Sequence, residues 1–69
     1  MTHTFFIAFD HPEIGRIIDP VQIRTMGTAR SRLAVIQQFG QPEAYIISTD
    51  ELSDDCREEL LQSVTETIE

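Results

Sequence analysis

His3-Thr4-Phe5-Phe6-Ile7-Ala8-Phe9 is the stretch that decides the fold. Phe5, Ile7 and Phe9 alternate onto one side of an extended chain, and Phe6 and Ala8 make the other side apolar as well. A strand apolar on both faces belongs at the centre of a sheet. The segment after it, Asp10-His11-Pro12-Glu13-Ile14-Gly15, has turn chemistry, with Asp and Pro to start the turn and Gly to accept positive φ. A second strand is expected over residues 16–24, with Ile17, Ile18, Val21 and Ile23 as its apolar members. Pro20 has no N–H to give to a ladder, so this strand should lie at an edge, bulge, or break there.

Thr25 or Thr28 can cap a helix in which Met26, Ala29, Leu33, Ile36 and Phe39 recur at helical spacing. Gly40 suits its C-cap, and Pro42 prevents continuation. Residues 43–48 read as a third strand, with Ala44, Tyr45, Ile46 and Ile47 nearly continuous, as in a strand covered on both faces. A last helix should begin at Ser53, or one turn earlier at Thr49 or Asp50, and run to the last residues. On its wheel Leu52, Cys56, Leu60, Leu61, Val64 and Ile68 share one half, and Asp54, Asp55, Glu58, Glu59, Glu66 and Glu69 the other. The expected fold is a small two-layer α+β domain of order β-β-α-β-α: a three-stranded sheet with two helices, spanning residues 1–69 as a single domain.

The charge is unevenly placed. The net value of -7 divides into +1 over residues 1–42 and -8 over residues 43–69, where Arg57 is the single base. No acid lies between Asp19 and Glu43, and every cation is an arginine. Such a balance disfavours direct nucleic-acid binding and anionic lipid, and favours a partner protein with a basic surface. A domain of roughly 60 residues buries only about 60% of the surface its unfolded chain exposes, so the core is thin. That thinness, with the broad apolar arc Ala29, Leu33, Ala34, Val35, Ile36 and Phe39, points to a homodimer. No apolar run approaches the ~18 residues of a membrane span, and the opening Met1-Thr2-His3-Thr4 has no basic n-region. A soluble cytoplasmic protein is the expectation. One cysteine, Cys56, excludes an intrachain disulfide and fits a reducing compartment.

The candidate chemistry is sparse, and no cofactor or metal is expected. His11 beside Asp10 and Glu13 could orient a catalytic imidazole, with a solvated turn histidine as the plainer reading; His3 belongs to the strand. The chain has no HxH, HExxH or CxxC spacing and no glycine-rich phosphate loop. Cys56 falls on the apolar side of its helix among acids that disfavour a thiolate. Arg24, Arg30 and Arg32 could meet phosphates, but they are few and lack interleaved aromatics. Arg57 lies near Leu60, Leu61 and Val64 on the wheel, as either a snorkelling side chain or an interface anchor.

Pro42-Glu43-Ala44-Tyr45-Ile46-Ile47, then Ser53-Asp54 and Leu60, Val64, Ile68, resembles the opening β-α unit of the small tautomerases related to 4-oxalocrotonate tautomerase. The resemblance implies a β-α unit and not the activity: the family's catalytic proline is an N-terminal secondary amine, and Pro42 is internal and acylated. Ala29-Arg30-Ser31-Arg32-Leu33 with Gly40-Gln41-Pro42-Glu43-Ala44-Tyr45-Ile46-Ile47-Ser48 is similar to Phd/YefM-type antitoxins, which implies a toxin-binding tail in the place of the acidic helix.

The leading expectation is a non-catalytic regulator or inhibitor that uses Asp54, Asp55, Arg57, Glu58, Glu59 and Glu66 against a basic surface on a larger protein. Phage- or plasmid-encoded anti-defence proteins, anti-CRISPR proteins among them, and antitoxins are examples of such small acidic proteins. The alternatives are a small enzyme or enzyme subunit with a site between protomers around His11, and a nucleic-acid-binding regulator using Arg24, Arg30 and Arg32.

Overall fold

The molecule is built around β1 (Phe5–His11), which hydrogen-bonds to neighbours along both of its edges. The structure, a computed structural model, describes residues 4–69, so the strand reading of His3 and the reading of the opening residues lie outside it. On one edge, β2 (Gly15–Ile18) pairs antiparallel with β1 from Ala8↔Ile18 to His11↔Gly15, and β3 (Val21–Ile23) joins the same edge at Phe5↔Ile23. On the other edge lies β4 (Tyr45–Ser48), antiparallel from Phe5↔Ser48 to Ala8↔Tyr45. β5 (Glu66–Ile68) runs parallel to β3, with Val21↔Glu66 and Ile23↔Ile68 in register. The α+β class therefore holds, with a mixed sheet of five strands in place of the expected three.

Both added strands have local causes. Asp19 and Pro20 break the second strand into β2 and β3. Asp19 N still donates to Ile7 O at 2.8 Å, while the Pro20 carbonyl turns outward to accept from Thr65 N at 2.9 Å. A proline at this corner costs no ladder bond, because its missing donor is not needed there. β5 arises where the last helix was expected to continue. α2 (Asp54–Ser63) stops at Ser63, and Glu66 sits in a strand, not on the acidic helix face. Val64, Thr65, Thr67 and Ile68 are β-branched and restricted at χ1, which disfavours helix and favours strand.

The two helices cover opposite faces of the sheet. Phe6 and Ala8 pack with Ile47, Leu52 and Leu60, with Cys56 and Val64 alongside, so α2 closes that face. Ile7 packs with Val21, Ile23, Ala29 and Ala44, flanked by Phe5, Phe9, Leu33 and Ile36, so α1 (Met26–Phe39) closes the other. A two-layer stack cannot satisfy a strand that is apolar on both sides, and a helix on each face resolves it.

The caps follow the sequence. Thr25 is the N-cap of α1 and its hydroxyl accepts from Thr28 N at 3.2 Å; Ser53 caps α2 and accepts from Cys56 N at 3.3 Å. Between β4 and α2 a separate 3-10 turn, Thr49–Glu51, carries its own capping box from Ser48 and Glu51. Gly15 closes the β1–β2 hairpin with φ +92°, in the region that favours glycine.

Phe6 is fully buried in a domain whose total stability is on the order of 3–10 kcal/mol. Phe6→Ala should cost about 3–5 kcal/mol and leave little cooperative unfolding transition at 25 °C. Urea titration followed by circular dichroism reads this directly, and Gly15→Ala, costing about 1–2 kcal/mol, should keep a clear but earlier midpoint.

Candidate partner-binding face

Four of the acids expected on one face do lie together on α2. Asp54 and Asp55 occupy its first turn, where the positive end of the helix dipole favours anions, and Glu58 and Glu59 follow one turn later. All four are exposed, while Cys56 and Leu60 turn towards the sheet. The spacing places Asp54 over Glu58 and Asp55 over Glu59, two i,i+4 pairs of like charge. Among the described residues Asp55, Glu58 and Glu59 form no ion pair, and Asp54 meets only Arg57, at 3.6 Å. Glu66 lies apart on β5, exposed at the opposite end of the sheet order from β4.

Arg57 is not spread over this face. Its Nε donates to Thr49 O at 3.0 Å and its Nη2 to Leu52 O at 3.2 Å. The guanidinium thereby ties the carbonyls of the 3-10 turn to α2 and fixes the chain between β4 and the helix. Its nearness to Leu60 on the wheel was legible; its use as a backbone clamp was not, because that depends on a turn placed by β4.

The other candidate residues are scattered. His11 ends β1 with its Nδ1 accepting from Glu13 N at 3.1 Å and Ile14 N at 3.3 Å, so this nitrogen caps the hairpin turn. The Tyr45 hydroxyl lies 3.5 Å from Asp10 Oδ1. Arg32 is bound to Asp19 through both Nε and Nη2 at 3.1 and 3.0 Å. Arg24 faces Glu69 at 3.8 Å, and Arg30 stands exposed on α1. The three arginines do not converge on one free cationic surface. No group of three or more His, Cys, Asp or Glu among the described residues is arranged to hold a metal ion, and no helix among them is long and apolar enough to cross a membrane.

A shallow cleft of about 320 Å³ runs between α2 and β2, with Ile18, Pro20, Cys56 and Leu60 inside and Arg16 and Glu59 on its rims. Opposite charges on the two rims give it no preference for a ligand of either sign. No protein-family model, curated protein or solved structure matches the chain. The likenesses to tautomerases and Phd/YefM antitoxins thus gain no support from any matching family.

Arg57→Met keeps an unbranched apolar stem and removes the guanidinium with its five N–H donors. It should destabilise the domain by about 1–3 kcal/mol, since Leu52 O loses its guanidinium donor and Thr49 O keeps only the Leu52 N–H, at 3.3 Å. Hydrogen exchange should show faster opening at residues 49–57, and unchanged exchange there would remove the clamp role.

Proposed function

We propose that the protein is a non-catalytic binding regulator or inhibitor that lays the acidic face of α2 against a basic surface of a larger protein. The observation that carries this reading is the arrangement of Asp54, Asp55, Glu58 and Glu59. Like charges at i,i+4 destabilise a helix by roughly 0.2–0.5 kcal/mol per pair, and α2 holds two such pairs. A helix serving only to close the core and stay soluble would mix signs on its outer face. Here the nearest cation, Arg57, is held by two backbone carbonyls and reaches only Asp54, at 3.6 Å, leaving Asp55, Glu58 and Glu59 without an ion pair. The repulsion stored in the free protein is relieved when arginine or lysine side chains of a partner come between the carboxylates. Such a surface raises the association rate with a positively charged partner and weakens with salt.

The class of partner this chemistry fits is a protein whose basic groove normally handles nucleic acid, with the carboxylates standing where phosphates would lie. An anti-defence protein or antitoxin is the biological setting in which a small acidic chain of this kind would act, within a cell's cytoplasm.

The double variant Glu58→Lys, Glu59→Lys separates binding from folding. Each lysine replaces a like-charge pair by an acid-to-base i,i+4 pair in the favourable orientation, so the variant should be more stable by about 1–2 kcal/mol in total. The same change should abolish capture of the partner from the native host. A variant that is more stable and still captures the same protein would overturn the reading.

A further inference from the structure

The outward flank of α1 carries two of the most exposed large apolar side chains among the described residues. Val35 is 55% exposed and Phe39 78% exposed, and beside Val35 runs a groove of about 360 Å³ lined by Thr28, Ser31, Arg32, Val35 and Ile36. Ser31, Val35 and Phe39 follow one another at four-residue spacing, so they form one stripe along the helix. α1 contains no acid, and the cation in the groove, Arg32, is already neutralised by Asp19 at 3.0 Å. The stripe is therefore electrically quiet on a chain whose net charge is -7.

We infer that this stripe is the contact between two copies of the chain, packed as antiparallel α1 helices about a twofold axis near Val35. Charge selects the occupant. Two copies repel each other through residues 43–69, which sum to -8, and approach most easily along the stripe Ser31, Val35 and Phe39, which itself carries no charge and lies on a helix whose cations are Arg30 and the Asp19-paired Arg32. A basic partner finds no acid to pair with on α1. The geometry is also self-complementary, as a twofold contact requires. With Val35 at the axis, Phe39 of one copy lies opposite Ser31 of the other, so each ring can enter the groove bordered by Thr28, Ser31 and Arg32. Each protomer thus supplies both a knob and a hole. Because α1 and α2 cover opposite faces of the sheet, such a dimer points both acidic helices outward and makes the particle bivalent.

Sedimentation equilibrium of the full chain from ~10 µM to ~1 mM brackets the affinities expected of a small apolar contact. The average mass should rise from the 7.9 kDa monomer towards twice that value. Added salt should strengthen the association, because it screens repulsion between like-charged copies. Phe39→Asp should hold the protein at monomer mass with unchanged thermal unfolding, as the ring is mostly exposed. Amide shifts that move on dilution should fall within residues 28–39, and the Glu58→Lys, Glu59→Lys variant should dimerise at least as well as the parent. A monomer at every concentration in high salt would overturn the inference. So would a dimer that survives both Phe39→Asp and Val35→Asp, or one lost on reversing Glu58 and Glu59. Capture of a different protein through Phe39 by a chain that never exceeds monomer mass would assign the stripe to that partner and overturn the second-copy contact.

Discussion

β1 cannot face water on either side. Phe6, Ile7 and Ala8 are fully buried in succession, with Phe6 and Ala8 on one face and Ile7 on the other. In a chain of 69 residues that requirement dictates almost everything else. Both edges of β1 must be hydrogen-bonded, since its backbone groups lose water with its side chains. Both faces must be covered, which takes one helix each. β4 answers one edge and the broken pair β2 and β3 the other. β5 then covers the outer edge of β3, where Arg24 N donates to Ile68 O at 3.0 Å. Two clusters of modest size result, separated by the sheet, and neither is large. The domain is thin because its apolar residues are divided between two faces.

That division explains which parts of the architecture could be read from the residues. The central strand and the extent of α1 rest on local chemistry, which was sufficient; at Pro20 and at the two caps it narrowed the choice, to an edge, bulge or break, to Thr25 or Thr28, and to Ser53 or a start one turn earlier, and the structure has the break, Thr25 and Ser53. The tail was different. Leu60, Val64 and Ile68 stand four apart, a spacing that falls on one side of a helix and equally on one side of a strand. Periodicity alone therefore could not choose between them. The choice is made by the β-branched side chains of residues 64–68 and by the free edge of β3, which exists only once the second strand has broken. Glu66 moved off the acidic face for this non-local reason. The layer arrangement was half visible, in that β1 and β4 each carry apolar residues on both sides, but which helix takes which face depends on the crossover. Arg57 followed the same pattern: its place on the wheel was plain, and its carbonyl partners were not.

The two surfaces of the molecule have opposite electrostatic character, and the sheet keeps them apart. On the α2 side, two like-charge pairs cost the helix some stability that reversing one charge in each would restore. On the α1 side, an aromatic ring and a valine face solvent although polar residues would cost nothing there. Each departs from what stability and solubility alone would select, one by excess negative charge and the other by exposed apolar side chains.

The pairing of these departures constrains how the protein could work. If α2 alone were functional, α1 could be polar throughout its outer side, and a monomer would suffice. If α1 alone were functional, α2 would have no reason to retain two like-charge pairs. Each helix is only three to four turns long and its inner side is taken by the core, so the two features lie on opposite faces of the sheet. Opposite faces also mean that occupying one need not obstruct the other. Salt separates the two physically: screening weakens attraction between the acidic helix and a basic surface, and weakens repulsion between like-charged copies. The same change in ionic strength would therefore move the two proposed associations in opposite directions.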